Sequence, residues 1–330
     1  MINPNTIAAA FERISPHIRQ TPVIDLVLPS GRVQCKLEYL QRGGTFKARG
    51  AFNKLLSDTA PPVGIVAASG GNHGIAIATA ANALGIKANI FVPTTAPAAK
   101  VATLKRLGAT VHQHGDRFAL AFEASQQFAQ QTGALVSHAY DQVETLCGQG
   151  TVALEWEAQT RDLDTVLIAV GGGGLIGGMA AWYAGRVKVV AVESATCATL
   201  HSALAAGYPV DCPVSGIAAD SLGATRIGAL MFPIAQQFIA QSILVSDEQI
   251  RAAQSWLWSE ARIASEPGGA TALAALLGGV YRPKTDERVG VLLCGANVDL
   301  ATIDLAKVDL TTVDLTTVDL TTVDLTALER

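Results

Sequence analysis

Short apolar runs alternate with alanine-rich segments along most of the chain. Seven runs dominated by Val, Ile, Leu and Ala are predicted strands: 33–38, 64–69, 88–93, 110–115, 165–171, 187–193 and 289–295. Helical periodicity is found after several of them, at 74–84, 98–107, 118–131, 177–184 and 249–264. Nearly continuous apolar runs are typical of strands buried on both faces. Their alternation with helices predicts an α/β fold with parallel-type sheets flanked by helices.

The chain is 330 residues long, which is more than one hydrophobic core usually serves. Because no Pro-, Gly- or Ser-rich linker divides it, we expect two lobes between which the chain crosses. The run of βα units at 60–145 is predicted to form a small lobe, and residues 1–59 and 146–300 a large one. The first residues predict a capped amphipathic helix, not a secretory signal.

The carboxyl end is repetitive. Residues 298–327 read as six consecutive pentads of the VDLTT type, similar to those of pentapeptide-repeat proteins. So short an array buries little core, since solenoids need several stacked units and caps. We therefore predict that residues 301–330 form a loosely docked tail that arose by duplication.

The amino-acid composition and net charge of the chain limit the kinds of molecule that it is expected to bind. Hydrophobic residues make up 49% of the chain and charged residues 16%, which indicates a large interior with an apolar face left for a homodimer or higher homo-oligomer. The net charge of −4 and the lack of a basic run argue against nucleic acid or an anionic membrane as partner. Small neutral or zwitterionic partners stay possible.

The distribution of the cysteines and the longest apolar stretches indicate in which part of the cell the protein is expected. The five cysteines are scattered without a CxxC pair or metal-ligand spacing, which favours a reduced, cytoplasmic setting and no metal site. Residues 63–86 and 165–185 lack charged side chains, yet each is interrupted by a glycine cluster. Glycines at mid-bilayer would expose unsatisfied backbone, so no membrane span is predicted.

The segment GGTFKARGAF at 43–52 places Lys47 at a predicted strand-to-helix junction. A lysine can form a Schiff base with a carbonyl cofactor where an apolar pocket lowers its pKa. Phe46 and Phe52 are expected to supply that apolar surrounding. The alternative from this segment alone is an ordinary surface lysine.

The segment ASGGNHG at 68–74 lies between a predicted strand and a predicted helix. Backbone N–H groups at such a junction can bind a carboxylate, helped by the positive end of the helix. The alternative is a glycine-rich turn in which His73 acts only as a cap.

Two further segments follow predicted strands. After one of them, the backbone N–H groups of GGGGLIGG at 171–178 can all point at a phosphate. At the end of another, the segment LLCGAN at 292–297 puts Cys294 at the sheet edge where open α/β sheets bind ligands. Gly172, Gly174 and Gly177, with Glu193 about 20 residues on, also fit a dinucleotide fingerprint, so an NAD(P)-dependent oxidoreductase is a rival interpretation.

These four segments, in this order, resemble the fold-type II pyridoxal-phosphate enzymes, which are tryptophan synthase β-like, and in particular the serine/threonine dehydratase and serine racemase group. GQGT at 148–151 also matches that group. The resemblance implies pyridoxal 5'-phosphate as cofactor, bound covalently by the catalytic Lys47. It further implies cofactor contacts and a substrate-binding loop. The cofactor contacts are Phe46, Asn72, Gly171, Gly172, Gly173, Gly174, Leu175 and Cys294, and the substrate loop is Ser69, Gly70, Gly71, Asn72 and His73.

The chain departs from the group at two positions. Gly70 stands where racemases have a serine that acts on the second face of the substrate, and Thr199 stands where the family's divalent-cation site has an aspartate. We therefore expect dehydration and deamination of a small hydroxy amino acid such as threonine or serine. Racemisation and hydroxyaspartate ammonia-lyase activity are the nearer alternatives, and a non-catalytic assembly protein using the tail is a more distant one.

Overall fold

The computed structural model describes residues 1–160 and 162–299, which contain two β-sheets. All seven predicted strands are confirmed within two residues at each end. Three strands at sheet edges, 23–28, 135–136 and 239–245, were not predicted. The strands are β1 (Val23–Leu28), β2 (Gly31–Leu37), β3 (Ile65–Ala68), β4 (Ala88–Val92), β5 (Thr110–Gln113), β6 (Leu135–Val136), β7 (Thr165–Ala169), β8 (Lys188–Ser194), β9 (Ile239–Val245) and β10 (Val289–Leu293).

The five predicted helices after strands are also confirmed, within three residues at each end. The amino-terminal helix begins with the expected cap, since the Asn3 side chain accepts from the Thr6 N–H and Thr6 reciprocates. The helices are α1 (Pro4–Ile14), α2 (Lys47–Ser57), α3 (Asn72–Ala83), α4 (Ala98–Arg106), α5 (Phe118–Thr132), α6 (Val143–Gln159), α7 (Gly174–Tyr183), α8 (Thr199–Ala206), α9 (Ala219–Leu222), α10 (Phe232–Phe238), α11 (Asp247–Ala261) and α12 (Pro267–Leu277).

The larger sheet has six strands in the order β1-β2-β10-β7-β8-β9. All its neighbours run parallel except the β1–β2 hairpin. Its central strands β7 and β10 are buried at every position, as their continuous apolar sequences predict. Because these strands are parallel, the segments that follow them meet at one edge.

The smaller sheet has four parallel strands in the order β5-β4-β3-β6. Its core contains Ile65, Ile77 and Ile90, and it extends to Phe52 on α2. The core of the larger sheet is a separate cluster that contains Val166, Leu167 and Ile168. The lobe boundaries at 60–145 and 146–300 remain a prediction.

Buried charges join the elements around the site. Arg49 on α2 pairs with Glu38 at 2.7 Å and with Glu155 on α6 at 2.9 Å, and Lys36 on β2 pairs with Glu155 at 2.5 Å. All four side chains are at most 3% exposed. The cluster contains two cations and two carboxylates, so its charges balance. Arg49 lies two residues after Lys47, and its ion pairs fix the position of the first turn of α2.

No helix in the described part of the chain is long and apolar enough to cross a membrane. The predicted pentad tail at 301–330 lies outside the described residues.

Candidate functional site

A cavity opens at the carboxyl ends of the parallel strands of the larger sheet. Four of its walls were predicted from the sequence: the start of α2, the start of α3, the loop after β7 and the end of β10. The residues lining it are Phe46, Lys47, Asn72, Tyr140, Ala169, Gly171, Gly172, Gly173, Gly174, Leu175, Ile176, Ser221, Leu222, Glu266 and Cys294.

Lys47 is the first residue of α2. The predicted strand-to-helix junction is wrong in detail, because two turns of 3-10 helix, Glu38–Leu40 and Arg42–Gly44, separate β2 from α2. The Phe46 N–H donates to the Cys294 carbonyl oxygen at 3.2 Å, which holds Lys47 beside the end of β10.

The Lys47 amine is held in an apolar, enclosed position. Nζ donates to the Ala139 carbonyl at 3.0 Å and lies 5.2 Å from the centre of the Phe46 ring. Burial lowers the pKa of Lys47 to about 8, partly opposed by Cys294 and Glu266. Phe52 does not share this surrounding; it stacks on His17 at 5.6 Å within the core of the smaller sheet.

A buried carboxyl group that the sequence did not single out lies opposite the lysine. Glu266 Oε1 accepts from Asn72 Nδ2 at 2.6 Å, and Asn72 Oδ1 accepts from Asn297 Nδ2 at 2.6 Å. Burial raises the pKa of Glu266 to about 7. This chain of hydrogen bonds ties the start of α3 to the segment before α12, so Asn72 has a fixed orientation in the cavity wall.

The loop Gly171 to Gly174 connects β7 to α7. Its Gly173 has φ 85°, a left-handed conformation that favours glycine. The N–H groups of Gly172 to Leu175 donate to no acceptor in the described part of the chain. Free N–H groups at the amino end of a ten-residue helix are able to bind an anion, and the phosphate role of this loop stays a prediction.

Cys294 directly follows β10 and is 3% exposed. Its Sγ lies 3.4 Å from the Gly268 carbonyl oxygen, to which it donates. Burial raises the pKa of the Cys294 thiol, so the group is neutral.

The loop Ser69 to Asn72 joins β3 to α3 and faces the cavity through Asn72. A Cβ added to Gly70 would have only Val92 Cγ1 near it, at 3.5 Å, and one added to Gly71 only the Asp220 carbonyl oxygen, at 3.8 Å. These glycines therefore leave space at the cavity mouth. Gly74 is different, because a Cβ there would lie 2.0 Å from the Ser69 carbonyl oxygen.

His73, a predicted substrate residue, does not line the cavity. The imidazole is buried, its Nε2 lies 3.4 Å from the Ser137 carbonyl oxygen, and burial lowers its pKa to about 3. A neutral imidazole in this position serves packing between α3 and β6.

Sequence reasoning also missed two contributors from the loops. Tyr140 packs on the glycine loop so closely that a Cβ on Gly172 would lie 2.2 Å from its ring. Leu222 on the short helix α9 packs against Gly171, where a Cβ would lie 3.0 Å from it. The sequence around Glu266, with Pro267 and two glycines after it, marks the start of a helix but does not mark a cavity residue.

Glu193, the acidic residue of the dinucleotide fingerprint, is not available to a ribose. Its carboxylate is fully buried and accepts the N–H groups of Leu200 and His201, each at 2.8 Å. Ser242 Oγ also donates to Glu193 Oε2 at 3.2 Å, and both carboxylate oxygens have partners. The described residues also contain no group of three or more His, Cys, Asp or Glu placed to hold a metal ion.

Comparison with known proteins identifies the family to which this chain belongs. The family model described as "Pyridoxal-phosphate dependent enzyme" matches residues 14–295. The chain belongs to this family, whose members depend on pyridoxal 5'-phosphate, and it is a fold-type II enzyme, as the four segments suggested. The oxidoreductase interpretation is thereby set aside.

Three relatives show the range of activities in the family. The chain is 36% identical to phenylserine dehydratase of Ralstonia pickettii over 309 residues, which cover 90% of this chain and 94% of that protein. It is 33% identical to L-threonine ammonia-lyase of Thermotoga maritima over 278 residues, 82% of this chain and 68% of that one. The solved structure of maize serine racemase superposes with a TM-score of 0.85 at 31% identity, covering 91% of this chain and 95% of that one.

Proposed function

We propose that this protein is an ammonia-lyase that converts a small hydroxy amino acid into a 2-oxo acid and ammonia. The observation that carries the proposal is a single cavity whose lining brings together the Lys47 amine, the glycine loop after β7 and the Cys294 thiol. Lys47 would hold the cofactor aldehyde, Gly171 to Leu175 its phosphate and Cys294 its ring nitrogen. The residues present fit these roles, since the amine is enclosed and the loop has free N–H groups.

When bound, pyridoxal phosphate supplies an electron sink conjugated to the α-carbon of the substrate amine. The protein supplies the proton transfers. Burial lowers the pKa of Lys47 to about 8, so at physiological pH a useful fraction of Nζ would be neutral and able to take the α-proton of the substrate. The Ala139 carbonyl accepts a hydrogen bond from this nitrogen and restricts its position.

The environment of Cys294 favours loss of the β-substituent over return of the proton. A neutral thiol cannot stabilise a positive charge on a pyridine nitrogen as a carboxylate does. The α-carbon would therefore not carry negative charge for long, and the β-hydroxyl would be lost directly after the α-proton, leaving as water with the proton that Lys47 Nζ had taken. The released enamine then takes up one water and yields the 2-oxo acid and ammonia.

Two features separate the proposal from its nearest alternatives. Gly70 provides no acid or base on the second face of the substrate, which disfavours racemisation. Among the residues that line the cavity, Lys47 is the only cation, while Glu266 is a carboxyl group. A second carboxylate, as in hydroxyaspartate, would find no partner there.

The test is a panel of L-threonine, L-serine, phenylserine and hydroxyaspartate incubated with the purified protein and pyridoxal phosphate. Measuring 2-oxo acid release and the chirality of the residual substrate separates lyase from racemase. We expect 2-oxo acid from at least one uncharged hydroxy amino acid, abolished in Lys47→Ala and retained in Lys105→Ala, an exposed lysine on α4. Racemised substrate without 2-oxo acid, or turnover by Lys47→Ala, would contradict the proposal.

A further inference from the structure

We propose that Thr199 is a positioning residue that aims the N–H groups of the glycine loop at the cofactor phosphate. The inference rests on the proposed phosphate role of Gly171 to Leu175. Thr199 is the first residue of α8, it is fully buried, and its side chain does not line the cavity.

The hydroxyl of Thr199 bonds to the glycine loop from behind. Oγ1 donates to the Gly171 carbonyl oxygen at 2.7 Å. The other acceptor within reach, Glu193 Oε1, is farther away at 3.4 Å, so the single hydroxyl hydrogen goes to Gly171.

Because the peptide bond is planar, this contact also sets the direction of the N–H group of the next residue. In a trans peptide the C=O of one residue and the N–H of the next point to opposite sides. A Gly171 carbonyl held toward Thr199 therefore turns the Gly172 N–H away from it, and Gly172 lines the cavity. The next peptide is held in the same manner, because the Gly172 carbonyl accepts the Gly228 N–H at 3.1 Å.

A loop of four glycines needs such an external constraint. Glycine has no side chain to restrict φ and ψ, so the peptide planes of the loop can rotate at little cost. Thr199 itself is held by Glu193, whose carboxylate binds the N–H groups of the next two residues of α8. The constraint thus runs from β8 through α8 to the glycine loop.

Cofactor binding tests the role, with pyridoxal phosphate and phosphate-free pyridoxal as probes. Loss of one net hydrogen bond predicts that Thr199→Val binds pyridoxal phosphate roughly fivefold more weakly. Affinity for pyridoxal should be unchanged, since that probe does not use the loop. Thr199→Ser should restore wild-type affinity, and Thr196→Val, three residues away with its hydroxyl on Ser194 and Asp247, should bind both probes normally.

Two results would overturn the inference: wild-type affinity of Thr199→Val for pyridoxal phosphate, or equal weakening of both probes, which indicates general loosening. Thr199→Ala gives the same comparison if the valine variant folds poorly. Absence of any preference for the phosphorylated probe in the wild-type protein would instead refute the phosphate role of the loop. Affinities are read from the visible absorbance of the bound probe, independently of turnover.

Discussion

Replacing Glu266 by glutamine removes a buried carboxyl group with little change in side-chain size, and it should change how stability depends on pH. The pKa of Glu266 is raised by burial from 4.5 to about 7. The folded protein therefore favours the neutral form, and this contribution to stability is present below about pH 4.5 and is lost as the pH rises through 7. Raising a pKa from 4.5 to about 7 corresponds to about 3 kcal/mol.

The assay is urea unfolding of the cofactor-free protein, followed by circular dichroism at several pH values. The free energy of unfolding of Glu266→Gln minus that of the wild type should rise by about 3 kcal/mol between about pH 4 and pH 8. Taking the difference between the two proteins cancels the other titrating groups. The exposed Glu260→Gln serves as the control for removing a carboxyl group from the surface. A difference for Glu266→Gln that stays constant across this pH range would show that the pKa of Glu266 is the same in the folded and the unfolded protein, and it would refute the reasoning.

Two further substitutions test the surroundings of the cavity. Arg49→Met leaves two buried carboxylates with one cation, and it should lower the free energy of unfolding, measured with denaturant, by about 3–5 kcal/mol. Arg32→Met removes the cation of an exposed pair and should lower it by less than about 1 kcal/mol. Gly172→Ala puts a Cβ 2.2 Å from the Tyr140 ring, and it should weaken pyridoxal phosphate binding in an absorbance titration. Gly70→Ala puts a Cβ no nearer than 3.5 Å to any neighbouring atom, and this control should bind the cofactor normally. Normal cofactor binding by Gly172→Ala would mean that the loop can move without loss of function.

The central strands could be predicted because each is a continuous apolar run. Strands β7 and β10 are buried on both faces, so their sequences carry no competing helical pattern. The edge strands β1 and β9 are only partly buried and mix polar with apolar residues, so no clear period marks them. The glycine loops after β3 and β7 were predictable for a related reason, since glycine clusters between a strand and a helix are visible locally.

Residues that meet only in the folded chain could not be predicted. Lys36 and Arg49 look like surface residues in sequence, yet they are fully buried because Glu38 and Glu155 neutralise them from other elements. Glu266 lies 194 positions from Asn72, its partner in the cavity wall. No local pattern announces such pairs, because their stability depends on how the sheet edge brings distant loops together.

The most direct test of the account is the site of covalent attachment of the cofactor. Borohydride reduction of the protein loaded with pyridoxal phosphate, followed by proteolysis and mass spectrometry, should place a reduced pyridoxyl group on Lys47. Attachment to a different lysine, or no attachment under conditions in which the protein turns over its substrate, would contradict the central claim.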